Sequence, residues 1–191
     1  MSTSASLGEI VSRELDGIVQ LTPDQLGMLE FHYRLLVQWN RKMNLTTVTA
    51  VPDAAVRHYC ESIFLAKYLT PGSVADIGSG AGFPGIPAAI VRADCQLHLI
   101  ESNQRKTVFL KEASRGLANV SVLPVRAQGI RDRIFDWLIA RAVDPSELLE
   151  LRLASRYALL LGRTDAEQIV GADLIPLPWG EQRVLALVSF T

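Results

Sequence analysis

Hydrophobic residues recur at helical spacing through the first third of the chain. Helices are predicted over residues 4–20, 23–42 and 52–69. The second helix has a clear start signal, because Thr22 suits the N-cap, Pro23 suits the first turn and Gln25 can bond back to the cap. Pro71 and Gly72 follow the third helix and end the helical pattern.

After residue 72 the pattern changes to short apolar runs that alternate with helical segments. Strands are predicted over residues 73–77, 96–100, 119–123, 135–140, 157–161 and 182–190, and helices over residues 83–92 and 103–116. Such alternation is typical of a parallel sheet with helices on both faces. We therefore predict one α/β domain over residues 1–191, in which a helical extension (1–70) packs on a core that contains the sheet (71–191).

The composition is that of a globular protein. The 191 residues, 49% hydrophobic and 20% charged, suit a single domain with a sizeable core. No apolar stretch approaches the length of a membrane-spanning helix, and the N-terminus lacks the pattern of a signal peptide. Cys60 and Cys95 are too few for a disulfide framework or a metal site. We expect a cytoplasmic monomer without a bound metal or a membrane contact.

The net charge of −1 is unusual for a nucleic-acid-binding protein, but the charges are unevenly distributed. Residues 31–60 contain Arg34, Arg41, Lys42 and Arg57 and a single acidic side chain. A solvated surface and an RNA-binding surface are both consistent with such a segment. Charge alone therefore does not establish RNA binding.

A glycine-rich turn lies between the first predicted strand and the next helix. It reads Asp76-Ile77-Gly78-Ser79-Gly80-Ala81-Gly82. Glycines at such a turn let the backbone approach a ligand closely, since no Cβ intervenes. Open α/β sheets bind cofactors at the carboxyl ends of their strands, and Glu101 ends the second predicted strand. Its carboxylate can accept hydrogen bonds from both hydroxyls of an adenosine ribose.

The spacing of the glycines distinguishes two classes of cofactor. The dinucleotide fingerprint GxGxxG would require glycine at position 83, which is Phe83. A pyrophosphate also requires free N–H groups at the helix N-terminus, whereas Pro84 removes one donor and Asp76 adds a negative charge. These features favour the cationic amino-acid end of S-adenosylmethionine. A purely structural turn in another α/β fold is the alternative.

Several further motifs are more specific than the glycine turn. They are Trp39-Asn40, Asn44-Leu45-Thr46, Arg57-His58-Tyr59-Cys60-Glu61-Ser62, Gly82-Phe83-Pro84-Gly85-Ile86-Pro87, Arg126-Ala127-Gln128 and Ala140-Arg141-Ala142. In these motifs, from about residue 35 to residue 190, the chain resembles the ribosomal RNA small subunit methyltransferase G family, also called glucose-inhibited division protein B.

The resemblance implies a class I S-adenosylmethionine-dependent methyltransferase, with a Rossmann-like, mostly parallel sheet of seven strands and N-terminal helices. It implies methyl transfer from S-adenosylmethionine to N7 of a guanine in 16S rRNA, so the partner is that RNA or the small ribosomal subunit. Together with the glycine turn it gives the cofactor contacts Asp76, Gly78, Gly80, Phe83, Glu101, Ala127, Gln128 and Arg141. Phe83 would shape the pocket, and Ala127 and Gln128 would face the adenine.

Methylation at N7 requires little catalytic machinery, because this nitrogen already carries a free lone pair and no proton has to be removed. Holding the reacting atoms in line is then the main requirement. Arg141 and His58 are the candidate catalytic residues, and a packing or surface role is the alternative for His58. The candidate RNA contacts are Arg34, Arg41, Lys42, Asn44 and Arg57.

Three positions depart from the family's pattern. Leu161 stands where the family has a lysine, Gln128 replaces a glutamate and Glu61 replaces an aspartate. Two alternatives therefore stay open. One is a homologue that binds S-adenosylmethionine with lost or altered activity. The other, suggested by the near-neutral charge, is a methyltransferase for a small molecule or a protein.

Overall fold

A seven-stranded sheet forms the centre of the molecule. In this computed structural model, which describes residues 5–130 and 134–190, the strand order is β3-β2-β1-β4-β5-β7-β6. The strands are β1 (Gly72–Ile77), β2 (Cys95–Ile100), β3 (Val120–Leu123), β4 (Phe135–Arg141), β5 (Ala154–Gly162), β6 (Asp173–Leu177) and β7 (Gly180–Ser189). Strands β1 to β5 are parallel, and β7 runs antiparallel to both β5 and β6. The predicted α/β fold with a mostly parallel sheet is confirmed.

Helices precede the sheet and connect its parallel strands. They are α1 (Leu7–Glu14), α2 (Pro23–Met43), α3 (Val51–Ala54), α4 (Glu61–Ala66), α5 (Gly85–Val91), α6 (Gln104–Ala113), α7 (Pro145–Glu150) and α8 (Arg163–Ala166). Helix α2 starts as predicted, because the Thr22 hydroxyl accepts a hydrogen bond from the Gln25 amide and the Gln25 side chain accepts one from Thr22 N–H. It ends at Asn44, whose φ of 45° lies in the left-handed region.

The predicted third helix contains a π-helical turn. Residues Ala55–Cys60 form this turn between α3 and α4, and the turn includes Arg57, His58 and Tyr59. Wider turns of this kind redirect side chains and occur frequently at functional sites.

The leading helices pack against the helices that flank the sheet. Leu29 and Leu36 of α2 and Ile63 of α4 belong to one buried cluster that also contains Ile86 of α5 and Phe109 of α6. Burial of large apolar side chains stabilises such contacts by roughly 1.5–3 kcal/mol each. The division into an extension (1–70) and a core (71–191) stays a prediction.

Three short elements were not predicted: α7, α8 and β6. Strand β6 occupies the edge of the sheet and contains Pro176, a residue that edge strands tolerate because one side of the strand needs no partner. Within residues 5–130 and 134–190, no helix combines the length and the hydropathy that a membrane span requires.

Candidate functional site

The sheet topology places a ligand crevice at the carboxyl end of β1. This strand pairs with β2 on one side and with β4 on the other, so the order of the strands reverses at this point. Ligands of open α/β sheets bind outside the carboxyl ends of the strands at such switch points. The glycine turn predicted to bind a cofactor begins directly after β1.

The backbone of this turn requires glycine at alternate positions. Gly78, Gly80 and Gly82 have φ values of 69°, 53° and 87°, a region that side chains with a Cβ rarely adopt. The amides of Gly78 and Ser79 both donate to the carbonyl of Ile100 at the end of β2, at 2.9 and 3.2 Å. These bonds fix the turn, which we call the glycine loop (residues 78–82), against the neighbouring strand.

A hollow of about 330 Å³ opens beside the glycine loop, and we call it the strand-end hollow. Its lining residues end or follow β1, β2, β3 and β4: Ile77, Gly78, Ile100, Glu101, Ser102, Val125, Arg126, Ala127, Gln128, Val143, Glu147, Leu148 and Leu151. Four of the predicted cofactor contacts, Gly78, Glu101, Ala127 and Gln128, are thus brought together in one cavity. Ala127 and Gln128 lie in a short 3-10 turn after β3.

Glu101 connects the hollow to the glycine loop. One carboxylate oxygen accepts the Gly80 N–H at 3.1 Å, and the other accepts the Asn103 N–H at 2.8 Å. A carboxylate offers about four lone-pair sites, so two acceptor positions remain for a ligand. Glu101 can therefore hold the loop and a pair of ligand hydroxyls together.

Asp76 is fully buried directly before the glycine loop. Its Oδ2 accepts the Gly85 N–H at 3.1 Å, whereas Oδ1 has no hydrogen-bond partner among the residues that the structure describes. Burial raises the pKa of this carboxyl to about 7. A buried acceptor without a donor is costly, by about 1–3 kcal/mol or more when it is charged, and it marks a place where a cationic ligand group would be stabilised.

Arg141 ends β4 and is held by the π-helical turn. Its Nη1 donates to the Arg57 carbonyl and to His58 Nδ1, both at 2.8 Å, and its guanidinium lies 5.0 Å from the centroid of the Phe83 ring. Burial lowers the pKa of Arg141 to about 10, a shift that the Glu61 carboxylate partly offsets. The side chain therefore remains a partly desolvated cation at neutral pH.

His58 is a buried, neutral residue that orients Arg141. Because a guanidinium only donates, His58 Nδ1 must accept and Nε2 carries the proton, which faces the Thr46 hydroxyl at 2.9 Å. Burial, and then the charge of Arg141, lower the pKa of His58 to about 3. The side-chain amide of Asn40 in turn holds Thr46, since it donates to Thr46 O and accepts from Thr46 N, each at 2.9 Å.

Phe83 does not line the strand-end hollow. Its side chain is 3% exposed, stacks on His58 at 4.6 Å and meets the edges of His32 and Tyr59 at 5.1 Å. Phe83 instead packs among aromatic side chains of the extension, next to the glycine loop, and supports Arg141 and the loop.

An ion pair that the sequence did not reveal lies close to Arg141. Glu61 is 3% exposed and its Oε2 lies 2.7 Å from Arg183 Nη2. Arg183 sits on β7 opposite Gly162, one position beyond Leu161. Leu161, in the position of the family's lysine, is 5% exposed and packs in an apolar cluster. Arg183 is therefore a cation that this chain places beside the end of β5, where Arg163 also lies.

The candidate RNA contacts lie on the surface of the extension. Arg34, Arg41, Lys42, Asn44 and Arg57 are all exposed. Asn44 lies two residues before Thr46, and Arg57 precedes His58 and contacts Arg141 through its carbonyl, so this part of the basic surface adjoins Arg141 and its partners. Among the described residues, no group of three or more His, Cys, Asp or Glu side chains is arranged to hold a metal ion.

Comparison with known proteins identifies a family that matches most of this chain. The family model for rRNA small subunit methyltransferase G matches residues 25–161. The ribosomal RNA small subunit methyltransferase G of Xylella fastidiosa (strain M23) is 39% identical over 146 residues, 73% of this chain and 69% of that protein. The protein of the same name from Geobacter sp. (strain M21) is 37% identical over 166 residues, 81% of this chain and 76% of that protein.

Solved structures agree on the fold. A SAM-dependent O-methyltransferase from Thermotoga maritima superimposes with a TM-score of 0.53 over 82% of this chain and 72% of that chain, at 14% sequence identity. At such low identity the likeness shows the fold alone, which is that of class I methyltransferases.

Proposed function

Since this chain belongs to the rRNA small subunit methyltransferase G family, we propose that it transfers a methyl group from S-adenosylmethionine to N7 of a guanine in 16S rRNA of the small ribosomal subunit. The observation that carries the proposal is the glycine loop after β1, which lies between the buried Asp76 and the carboxylate of Glu101. The proposal includes a cytoplasmic location and a monomeric protein.

The residues around the glycine loop fit S-adenosylmethionine. Glu101 has free acceptor positions for the ribose hydroxyls, and Ala127 and Gln128 would lie against the adenine. The unpartnered Oδ1 of Asp76 suits the α-ammonium group at the other end of the molecule. Gly80 leaves the approach open because no side chain occupies it.

Bound S-adenosylmethionine supplies an electrophilic methyl group on a sulfonium, and the guanine N7 lone pair can attack it directly. The protein therefore has to position the base and exclude water rather than move a proton. Arg141, a partly desolvated cation fixed by Arg57 and His58, would hold an acceptor atom of the entering guanine or the methionine carboxylate. His58 acts through Arg141 as a positioning residue.

Replacing His58 by glutamine should alter how stability depends on pH. Burial lowers the folded pKa of His58 to about 3 from 6.5 in the unfolded chain, so its contribution is complete above pH 6.5 and is lost as pH falls towards 3. At pH 5 the loss is about 2 kcal/mol. The raised pKa of Asp76 acts in the opposite direction, because its contribution is lost as pH rises through about 7.

The difference between wild-type and His58→Gln therefore isolates the histidine. Chemical denaturation at pH 7.5 and pH 5 would measure the free energies of unfolding, and we expect a shallower decline in the variant. An identical pH dependence in both proteins would contradict a neutral, buried His58.

The basic surface of the extension predicts a salt-dependent interaction with the small subunit. Replacing Arg34 and Arg41 by glutamine should reduce the slope of log affinity against log salt by roughly 0.7–0.9 for each lost phosphate contact. The control is Lys67→Gln, which removes an exposed charge after α4, near the amino end of β1. Binding of the subunit would be measured from 50 to about 300 mM salt. Equal slopes in all three proteins would exclude Arg34 and Arg41 as contacts.

Deleting the gene and mapping N7-methylguanosine in the host's 16S rRNA tests the proposed reaction. We expect the modification at one guanine to disappear and to return with the wild-type gene but not with an Arg141→Ala gene. Unchanged methylation would refute the proposal. Cofactor binding without transfer to unmodified subunits would instead favour the homologue with lost activity.

A further inference from the structure

We infer that His32, oriented by Tyr59, is a positioning residue for the glycine loop, so that the helical extension forms part of the cofactor site. The inference rests on the proposed function, because it concerns the same loop. It assigns a role to two residues outside the predicted site, one on α2 and one on the π-helical turn.

His32 connects the extension to the loop through one defined tautomer. It is 0% exposed, and its Nε2 lies 3.1 Å from the Ala81 carbonyl oxygen. Since a carbonyl only accepts, Nε2 carries the proton and Nδ1 is left as an acceptor for the Tyr59 hydroxyl at 2.9 Å. Burial lowers the pKa of His32 to about 4, which keeps this neutral tautomer at physiological pH.

The loop also packs closely against the ring of His32. A Cβ added at Gly82 would lie 3.1 Å from His32 Nε2, and the Phe83 ring meets the imidazole edge-on at 5.1 Å. Tyr59 contacts the same Phe83 ring, again edge-on at 5.1 Å. Ala81, Gly82 and Phe83 are therefore fixed by two side chains of the extension.

These contacts matter because the glycine loop is held mainly by residues outside it. Gly78, Gly80 and Gly82 give the loop wide conformational freedom, and its internal bonds begin only at Gly82, whose amide donates to Ser79 O. Glu101 holds the Gly80 amide, and His32 holds the next carbonyl, that of Ala81. Ordering the loop before the ligand arrives reduces the entropy lost on binding, so this bond should increase cofactor affinity.

Three variants separate positioning from packing. His32→Phe keeps an aromatic ring but removes both hydrogen bonds, His32→Gln retains an amide donor for Ala81 O, and Tyr59→Phe removes only the hydroxyl that fixes the tautomer. Leu36→Ala is the matched control, because Leu36 is 1% exposed on the same helix and its truncation leaves a cavity without removing a polar bond. Calorimetry would give the Kd for S-adenosylhomocysteine, and thermal unfolding would give Tm.

We expect His32→Phe to weaken binding about tenfold or more, Tyr59→Phe about threefold to tenfold, and His32→Gln to recover most of the affinity. Leu36→Ala should lower Tm at least as much as His32→Phe while its Kd stays within about twofold of wild-type. If His32→Phe does not fold, Tyr59→Phe decides, since it leaves the packing intact.

A Kd that follows Tm equally in all variants, or stays unchanged in both His32→Phe and Tyr59→Phe, would overturn the inference. The wild-type titration tests the proposed function separately. If wild-type protein fails to bind S-adenosylhomocysteine, the proposed function fails, whereas a tight wild-type Kd with unaffected variants removes only the role of His32.

Discussion

The Gly80→Val variant is expected to bind S-adenosylhomocysteine at least about 100-fold more weakly than wild-type protein, a loss of roughly 2.7 kcal/mol. Gly80 has φ 53°, a conformation that costs an L-residue about 1–2 kcal/mol and a β-branched residue more. The new side chain would also occupy the approach between the loop and the ligand. The backbone cost lowers the stability of the folded loop, and the filled approach lowers the affinity for the ligand.

The same variant should still fold. A Cβ at Gly80 would meet its nearest neighbour, the Gly78 carbonyl oxygen, at 3.5 Å, an ordinary contact. Gly171→Val is the matched control, because Gly171 has φ 79° with no atom near its missing Cβ and lies between α8 and the edge strand β6, outside the glycine loop. The control should lose stability but keep its affinity. Tight binding by Gly80→Val, or equal loss in both variants, would count against the glycine loop as the cofactor site.

The Arg141→Ala variant is expected to lose at least about 100-fold in kcat for methylation of the small subunit. Arg141 is fixed by two 2.8 Å hydrogen bonds and by the Phe83 ring, and a displacement of about 1 Å in a positioned group can cost this much. The variant should also lose about 1–3 kcal/mol of stability, because His58 Nδ1 and the Arg57 carbonyl lose a donor.

Arg156→Ala provides the control for a general effect of removing a stacked arginine. Arg156 lies 4.6 Å from the centroid of the Trp137 ring and donates to the Thr70 hydroxyl, at the opposite end of the sheet. The Arg156→Ala substitution should lower Tm without lowering kcat. Steady-state methylation of the small subunit would measure kcat, and thermal unfolding would measure Tm. A kcat near wild-type in Arg141→Ala would exclude a role for this side chain in the reaction.

Local signals in the sequence predicted most of the fold. The Thr22 and Gln25 pair marked the start of α2, and alternating apolar segments predicted β1 to β5 in chain order, with α5 and α6 among them. Strand β6 was missed because its stability depends on pairing with β7 rather than on a local pattern, and because Pro176 argues against a strand. The π-helical turn was missed because a helix with a wider turn has nearly the same hydrophobic spacing.

The sequence also predicted the ligand crevice at the cofactor end of the site, but it did not predict the side chains that support this crevice. Glycines after a strand and an acidic residue after the next one predict a ligand crevice by chain order alone, and Glu101 does line the strand-end hollow. The bonds between Asn40 and Thr46 and between Thr46 and His58 connect motif residues that lie far from the hollow to the side chain that orients Arg141.

For the other supporting residues, the neighbouring sequence contains no signal that predicts their role. His32 and Tyr59 stand on separate helical segments, and a lone histidine on an apolar helix face is indistinguishable from a core residue until the helices meet. The same holds for Glu61 and Arg183, which come together only when β7 pairs with β5. The family resemblance implies that Phe83 shapes the pocket, but the aromatic side chains of the extension surround it.

A crystal structure of the complex with S-adenosylhomocysteine tests the central claim most directly. We predict that the nucleoside occupies the strand-end hollow, with both ribose hydroxyls on Glu101, the adenine against Ala127 and Gln128, and the α-ammonium group near Asp76 Oδ1. Density for the ligand at another place, or a nucleoside in the hollow that leaves Glu101 without a ligand contact, would contradict the account.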